Sequence, residues 1–202
     1  MMDIQGTSPW GFFALVSYIP DPLGSFLHGL RRLLPGEDNP QAHITILPPR
    51  PLKLPVESVS KCARKILQRF PAFDVELSKV RCFPGTNLIY LDIGQGNALL
   101  HELHAALNTG DLNDAEELEF RPHLTLGGPV PRAKLVSVRQ QAQSAWRAVH
   151  FPRTFKLDEV VFLWVSPNGP HGEWDRLWSQ RLTTNGESNT AVQPPAAASQ
   201  TF

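Results

Sequence analysis

With 202 residues, 42% hydrophobic and 19% charged, the chain carries enough apolar side chain for one good core or two small lobes sharing an interface, as an ordinary soluble protein does. Nineteen basic residues balance nineteen acidic ones, so there is no global field to hold a long polyanion by counterion release, and binding of long nucleic-acid duplex is disfavoured. The apolar run Phe12 to Ile19 is far below the roughly 20 residues of a membrane-spanning helix, and the start of the chain lacks the basic region and cleavage site of a signal peptide; a cytoplasmic monomer with no membrane contact is expected.

In chain order, residues 1–10 read as a loose leader, and Gly11 to Ile19 is aromatic and β-branched enough for a first strand. Pro20-Asp21-Pro22 ends it, offering Asp21 as a helix N-cap and Pro22 at the first helical position. Leu23, Phe26, Leu27, Leu30 and Leu34 follow at helical spacing up to Pro35-Gly36. A polar loop, Glu37 to Ala42, then delivers a short strand from His43, which Pro48-Pro49 should terminate by removing backbone donors. Val56, Val59, Cys62, Ala63, Ile66, Leu67 and Phe70 trace an amphipathic helix. Phe73 to Leu77 and Val80 to Phe83 alternate as one strand or a bent pair.

The order then recurs. Asn87 to Ile93 is a strand, Asn97 to Asn108 a helix with Leu99, Leu100, Leu103 and Leu107 on its face, and the loop Thr109 to Glu119 delivers another short strand at His123. Pro129-Val130-Pro131 breaks that strand, Arg132 to Val149 is a second helix, and Phe155 to Val165 is one long strand. A turn at Pro167 to Pro170 leads to a last strand, Glu173 to Leu182. The repeated order of strand, helix, short strand, helix, strand points to an ancient duplication, with each half holding one short strand. Residues 1–182 are thus expected to form a single two-lobed α+β domain, with antiparallel sheets, outer helices and a central cleft. From Thr183 the composition turns to Thr, Asn, Ser, Gln, Ala and Pro, so 183–202 should be a disordered tail. Cys62 and Cys82 are isolated thiols, expected to be reduced and buried.

The two short strands carry the chemistry. His43-Ile44-Thr45-Ile46 and His123-Leu124-Thr125-Leu126 each alternate a histidine and a hydroxyl with two aliphatic residues, so the period of 2 puts imidazole and hydroxyl on one face and the aliphatics on the other. The other five histidines have no Ser or Thr two places on. A single His-x-Thr arises easily by chance; two in matching context do not. Paired histidines suit in-line phosphodiester chemistry near neutral pH, one imidazole taking a proton from the attacking oxygen while an imidazolium gives one to the leaving oxygen. The hydroxyls beside them suit non-bridging phosphate oxygens.

With Leu47-Pro48-Pro49-Arg50 after the first copy and Phe120-Arg121-Pro122 before the second, the pattern resembles the 2H phosphoesterase superfamily, which includes 2′-5′ RNA ligase-like and cyclic phosphodiesterase proteins. The resemblance spans roughly residues 11–182. It implies His43, Thr45, His123 and Thr125 as catalytic residues, no metal and no cofactor. It further implies a metal-independent phosphoesterase that hydrolyses 2′,3′-cyclic phosphate ends of RNA or small cyclic nucleotides, with reversible 2′-5′ ligation possible in principle. Within the superfamily the alternative is a 3′-5′ RNA-trimming phosphodiesterase. From another class, the alternative is a module that binds a nucleotide or RNA end and turns nothing over; both motifs being complete argues against it.

Zinc is disfavoured, since each copy offers one nitrogen and no carboxylate or thiolate in motif spacing. His101-Glu102-Leu103-His104 is not His-Glu-x-x-His, and its histidines are expected on the solvated face of a helix. Arg50 and Arg121 are the candidate substrate-binding cations, because a guanidinium meets phosphate bidentately. Gly127-Gly128 follows the second motif where many relatives carry a basic residue. Tyr18, Phe13, Trp164, Trp174 and Trp178 are available to a base but read as core.

Overall fold

Alternation of apolar and polar side chains builds two four-stranded antiparallel sheets, and amphipathic segments lay four helices against them. The computed structural model describes residues 8–36, 41–116, 118–166 and 174–183. Along the chain these form β1 (Phe12–Tyr18), α1 (Leu23–Leu33), β2 (His43–Pro51), α2 (Val56–Leu67), β3 (Phe73–Cys82) and β4 (Ile89–Ile93). There follow α3 (Asn97–Leu107), β5 (His123–Gly127), α4 (Leu135–Arg147), β6 (Thr154–Leu157), β7 (Glu159–Val165) and β8 (Asp175–Arg181). No helix among the described residues is long and apolar enough to cross a membrane.

The first sheet runs β2-β1-β7-β8 and the second β5-β4-β3-β6. The two-lobed fold is the expected one, but the lobes are not the sequence halves. β3, which closes the first half, pairs with β4 of the second, and β7 pairs with β1. The expected single strand over 155–165 is correspondingly two strands. β6 hydrogen-bonds to β3 in the second sheet, β7 to β1 in the first, and between them the Asp158 carbonyl accepts the amide of Leu182 at 2.8 Å. Apolar alternation cannot reveal this crossing, because both pieces bury the same kind of side chain.

Pro48-Pro49 does not end β2, which continues to Pro51. β2 is an edge strand whose register with β1 shifts between Leu47 and Arg50, and an edge tolerates residues that lack a donor. Asp21 stands one residue further from α1 than expected, and its carboxylate accepts both the amide (2.9 Å) and the hydroxyl (2.6 Å) of Ser25. In α3 the buried face is Leu100, Leu103, His104 and Leu107, with Leu99 36% exposed. Thr183 is not free tail: its amide donates to the Phe70 carbonyl and its own carbonyl accepts from Ala72. The expected tail beyond it and the turn at 167–170 lie outside the described residues. Cys62 and Cys82 are free thiols, half-buried rather than buried.

The helix-facing sides of both sheets share one core, which includes Leu15, Leu27, Ile44, Ile46, Leu67, Leu77, Leu91, Leu103 and Leu124. A smaller apolar cluster, Ala14, Val16, Val161 and Leu163 with Tyr18 and Trp174 packed on it, occupies the other side of the first sheet. Phe13 belongs to the main core, where its ring stacks on Phe162. Trp164 and Trp178 are tied by their indole N–H groups to the Trp10 carbonyl and the Ser60 hydroxyl.

Candidate active site

Each motif strand is the edge of its own sheet, and the two edges face each other: Cα atoms of β2 come within 8 Å of those of β5. Ile44, Ile46, Leu124 and Leu126 are at most 1% exposed, while His43, Thr45, His123 and Thr125 are half-buried. Burying one such aliphatic side chain stabilises by about 1.5–3 kcal/mol, so slipping either strand by one residue would expose two of them and bury an imidazole instead. Packing alone therefore holds histidine and threonine toward the gap.

Both imidazoles are braced the same way. His43 Nδ1 lies 3.0 Å from the Gln41 carbonyl oxygen, and His123 Nδ1 lies 2.6 Å from that of Arg121, in each case two residues upstream. With Nδ1–H donating to a carbonyl, the neutral ring carries its lone pair on Nε2. Among the described residues no protein group is hydrogen-bonded to either Nε2 or to either threonine hydroxyl.

The surroundings of the two rings differ. His43 has its pKa lowered to about 4, chiefly because protein atoms crowd the ring and desolvate its charged form; the Gln41 carbonyl opposes this, and the positive charges of Arg31 and His123 add to it. His123 is also held below the usual histidine value, again mainly by burial, with the Arg121 carbonyl raising it, the Arg121 charge lowering it and Asp92 raising it. Asp92 on β4 is the register partner of His123. Tyr18 is the register partner of His43, and their rings meet edge to face with centroids 6.2 Å apart. On the second lobe Phe83 and Tyr90 stack at 4.0 Å and meet the edge of His123 at 4.9 and 5.5 Å.

Of the two candidate cations, the structure brings only Arg121 near the rings, its guanidinium 5.6 Å from the Phe83 centroid and 5.4 Å from that of Tyr90. Arg50 is 2% exposed and turned into the protein, donating to the Pro48 and Leu112 carbonyls, to Asn108 Oδ1 at 2.6 Å and to Glu116 Oε1 at 2.5 Å. It therefore serves the fold and not a phosphate in the cleft. His104 also departs from expectation: it is 7% exposed, with Nδ1 2.7 Å from the Ile46 carbonyl, Nε2 3.2 Å from Glu116 Oε2, and its ring stacked on Phe120 at 3.7 Å. A histidine at helical spacing carries no mark of the strand it will meet from another part of the chain. The same limit hid Arg31 and Asp92, which reach the site through packing and register.

Gly127-Gly128 has a steric cause. A Cβ on Gly127 would lie 2.6 Å from the Pro35 carbonyl oxygen, and Gly128, at φ +118°, donates its amide to that oxygen at 2.6 Å. The segment after α1 is thereby docked on the end of the second motif. Among the described residues no three His, Cys, Asp or Glu side chains group as metal ligands.

A family model described as the 2′-5′ RNA ligase superfamily matches residues 19–169. A Geobacillus thermodenitrificans protein named "Putative phosphoesterase" is 30% identical over 143 residues, covering 66% of this chain and 80% of its own. A homologue of similar name from Geobacillus kaustophilus is 28% identical over 166 residues, 78% of this chain and 90% of that one. Among solved structures, E. coli LigT in its apo form superposes with a TM-score of 0.60 at 15% identity, over 86% of this chain and 98% of that one. The Thermus thermophilus protein TT0787 gives a TM-score of 0.57 at 16% identity, over 86% of this chain and 99% of that one. Two edge strands with matching histidines, a family match over most of the chain and a shared fold converge on one conclusion: the chain belongs to the 2′-5′ RNA ligase superfamily of 2H phosphoesterases.

Proposed function

We propose that this protein is a metal-independent phosphodiesterase that opens 2′,3′-cyclic phosphates at RNA ends or in small cyclic nucleotides, with His43, Thr45, His123 and Thr125 as its catalytic residues. The observation that supports this reading is the matched brace on the two histidines, each Nδ1 held by the carbonyl two residues upstream so that Nε2 is left to exchange a proton, on two edge strands that pack against each other. E. coli LigT has been solved with 3′-AMP and with ATP, which supports a nucleotide as the ligand class.

His43 is the general base and His123 the general acid. Burial holds both rings below the usual histidine value; at His43 the charges of Arg31 and His123 add to this, whereas at His123 Asp92, opposite it in the ladder, partly offsets the Arg121 charge, which makes His123 the better placed of the two to carry the proton. His43 Nε2 takes a proton from the attacking water, a new P–O bond forms, and the bond from phosphorus to O2′ or O3′ breaks as His123 protonates the departing oxygen. Thr45 and Thr125 donate to the non-bridging oxygens, where charge is held through the transition state. With a 5′-hydroxyl in place of water and the bond to O3′ breaking, the same proton movements give a 2′-5′ linkage.

Incubation with nucleoside 2′,3′-cyclic phosphates and with short RNAs ending in a cyclic phosphate, in excess chelator and with product analysis, tests the reading. Ring opening to a single monophosphate isomer is the expected result. Release of nucleotides from the 3′ end would favour the trimming activity, and binding without any turnover would favour a non-catalytic module.

A further inference from the structure

The second lobe carries cations that the reaction above does not use. Asp92 holds two arginines at once, Arg121 at 3.6 Å from Oδ1 and Arg81 at 3.4 Å from Oδ2, both about half exposed. One carboxylate between two guanidiniums leaves a net positive charge on this face. Exposed pairs of this length add little to folding, so stability does not account for gathering them here.

Their placement is fixed by the sheet. Arg81 on β3 is the register partner of Tyr90, and Tyr90 on β4 is that of Thr125. Residues directly opposite share a face, so Arg81 lies on the same side as His123 and Thr125, with its Cα about 10 Å away, two strand spacings across the sheet. Arg121 lies beside the rings that touch His123, whereas Arg81 is held on the Asp92 carboxylate, one strand further out than the histidine.

We propose that Arg81, steadied by Asp92, binds a second phosphoryl group of the substrate, next along the chain from the one that reacts. The strand then leaves the cleft over β4 and β3, away from the first lobe. The proposal rests on the phosphoesterase reading for its choice of ligand and deepens it by selecting substrates with at least two phosphates. The second phosphate comes either from an internucleotide link or from a 5′-phosphate on a lone nucleotide.

The test compares uridine 2′,3′-cyclic phosphate with the same compound bearing a 5′-phosphate and with a uridine dinucleotide ending in the cyclic phosphate. Affinities for the corresponding ring-opened 3′-phosphates are measured by calorimetry in parallel. Wild-type protein should prefer a two-phosphate ligand, and raising salt from about 50 to about 200 mM should shrink that preference. Arg81→Ala should cut the preference roughly tenfold, the size of one charge-assisted bond at a half-exposed site, and Arg81→Lys should retain part of it. Whether the dinucleotide or the 5′-phosphate shows the effect identifies the source of the group. An equal preference in wild type and Arg81→Ala overturns the proposal whether or not turnover is seen. Loss of preference in binding with no turnover by any form upholds this site and removes the phosphoesterase reading instead.

Discussion

His104 Nδ1 lies 2.7 Å from the carbonyl oxygen of Ile46, so α3 of the second sequence half grips the first motif strand one residue beyond Thr45. The same ring faces Glu116 through Nε2 and stacks on Phe120, three residues before His123. One buried side chain thus touches the supports of both motifs. His104→Ala should lower stability by about 2–4 kcal/mol in urea titration, because it leaves a buried carbonyl unpaired and Glu116 short of a partner. His104→Gln, able to keep one of the two bonds, should lose less.

Arg50 gives a second test of structure against substrate binding. Removing it leaves the carboxylate of Glu116, 18% exposed, without its closest cation, and breaking a buried pair from one side costs about 3–5 kcal/mol. Arg50→Ala should therefore show a large fall in Tm. KM measured below the transition should stay within about twofold of wild type, whereas loss of a phosphate contact would raise it about tenfold or more.

The histidine environments set a pH profile. Both rings are held below the ordinary value of 6.5, His43 to about 4. The form with one proton on the pair is thus scarce at pH 7 and grows as pH falls. The profile of kcat/KM, which reports the free enzyme, should be bell-shaped with both limbs below 6.5, and those limbs belong to the pair. An anionic phosphate in the cleft favours imidazolium, so the kcat profile should sit at higher pH. Stability follows the same shifts: the unfolded chain takes up these protons first, so stability is full above 6.5 and is lost as pH falls toward about 4. Denaturant melts across that window check the sign.

Replacing His43 or His123 with Ala should reduce kcat by roughly 10²–10⁴ with a smaller change in affinity, since proton transfer matters chiefly in the transition state. Thr45→Ala and Thr125→Ala should weaken both phosphate binding and turnover, because a hydroxyl also bonds the ground-state phosphate. Calorimetry and turnover on the four variants separate these outcomes; in a pure binding module all four would lose affinity alike.

At the end of the second motif, Gly127→Ala should destabilise by about 1–3 kcal/mol. Its Cβ would meet the Pro35 carbonyl oxygen at 2.6 Å, backbone that cannot turn aside as a side chain can. Thermal melts of this variant beside Gly29→Ala, where a Cβ meets nothing within 4 Å, provide the comparison.

Which side chains share a face is written locally in the chain. In His43 to Ile46 and His123 to Leu126 the period of 2 is local geometry, so the buried aliphatics and the half-buried His and Thr were legible before any fold was known. The two-lobed α+β architecture was legible for a similar reason, since amphipathic periods fix element type. Partners were not. That β3 joins β4 while β7 joins β1, that Arg50 turns inward to Glu116, that His104 reaches Ile46, and that Asp92 stands opposite His123 all depend on which strands become neighbours. Periodicity tells a residue which way to face, but a charge or a ring acquires its role from what faces it, and that is settled only when distant segments pack together.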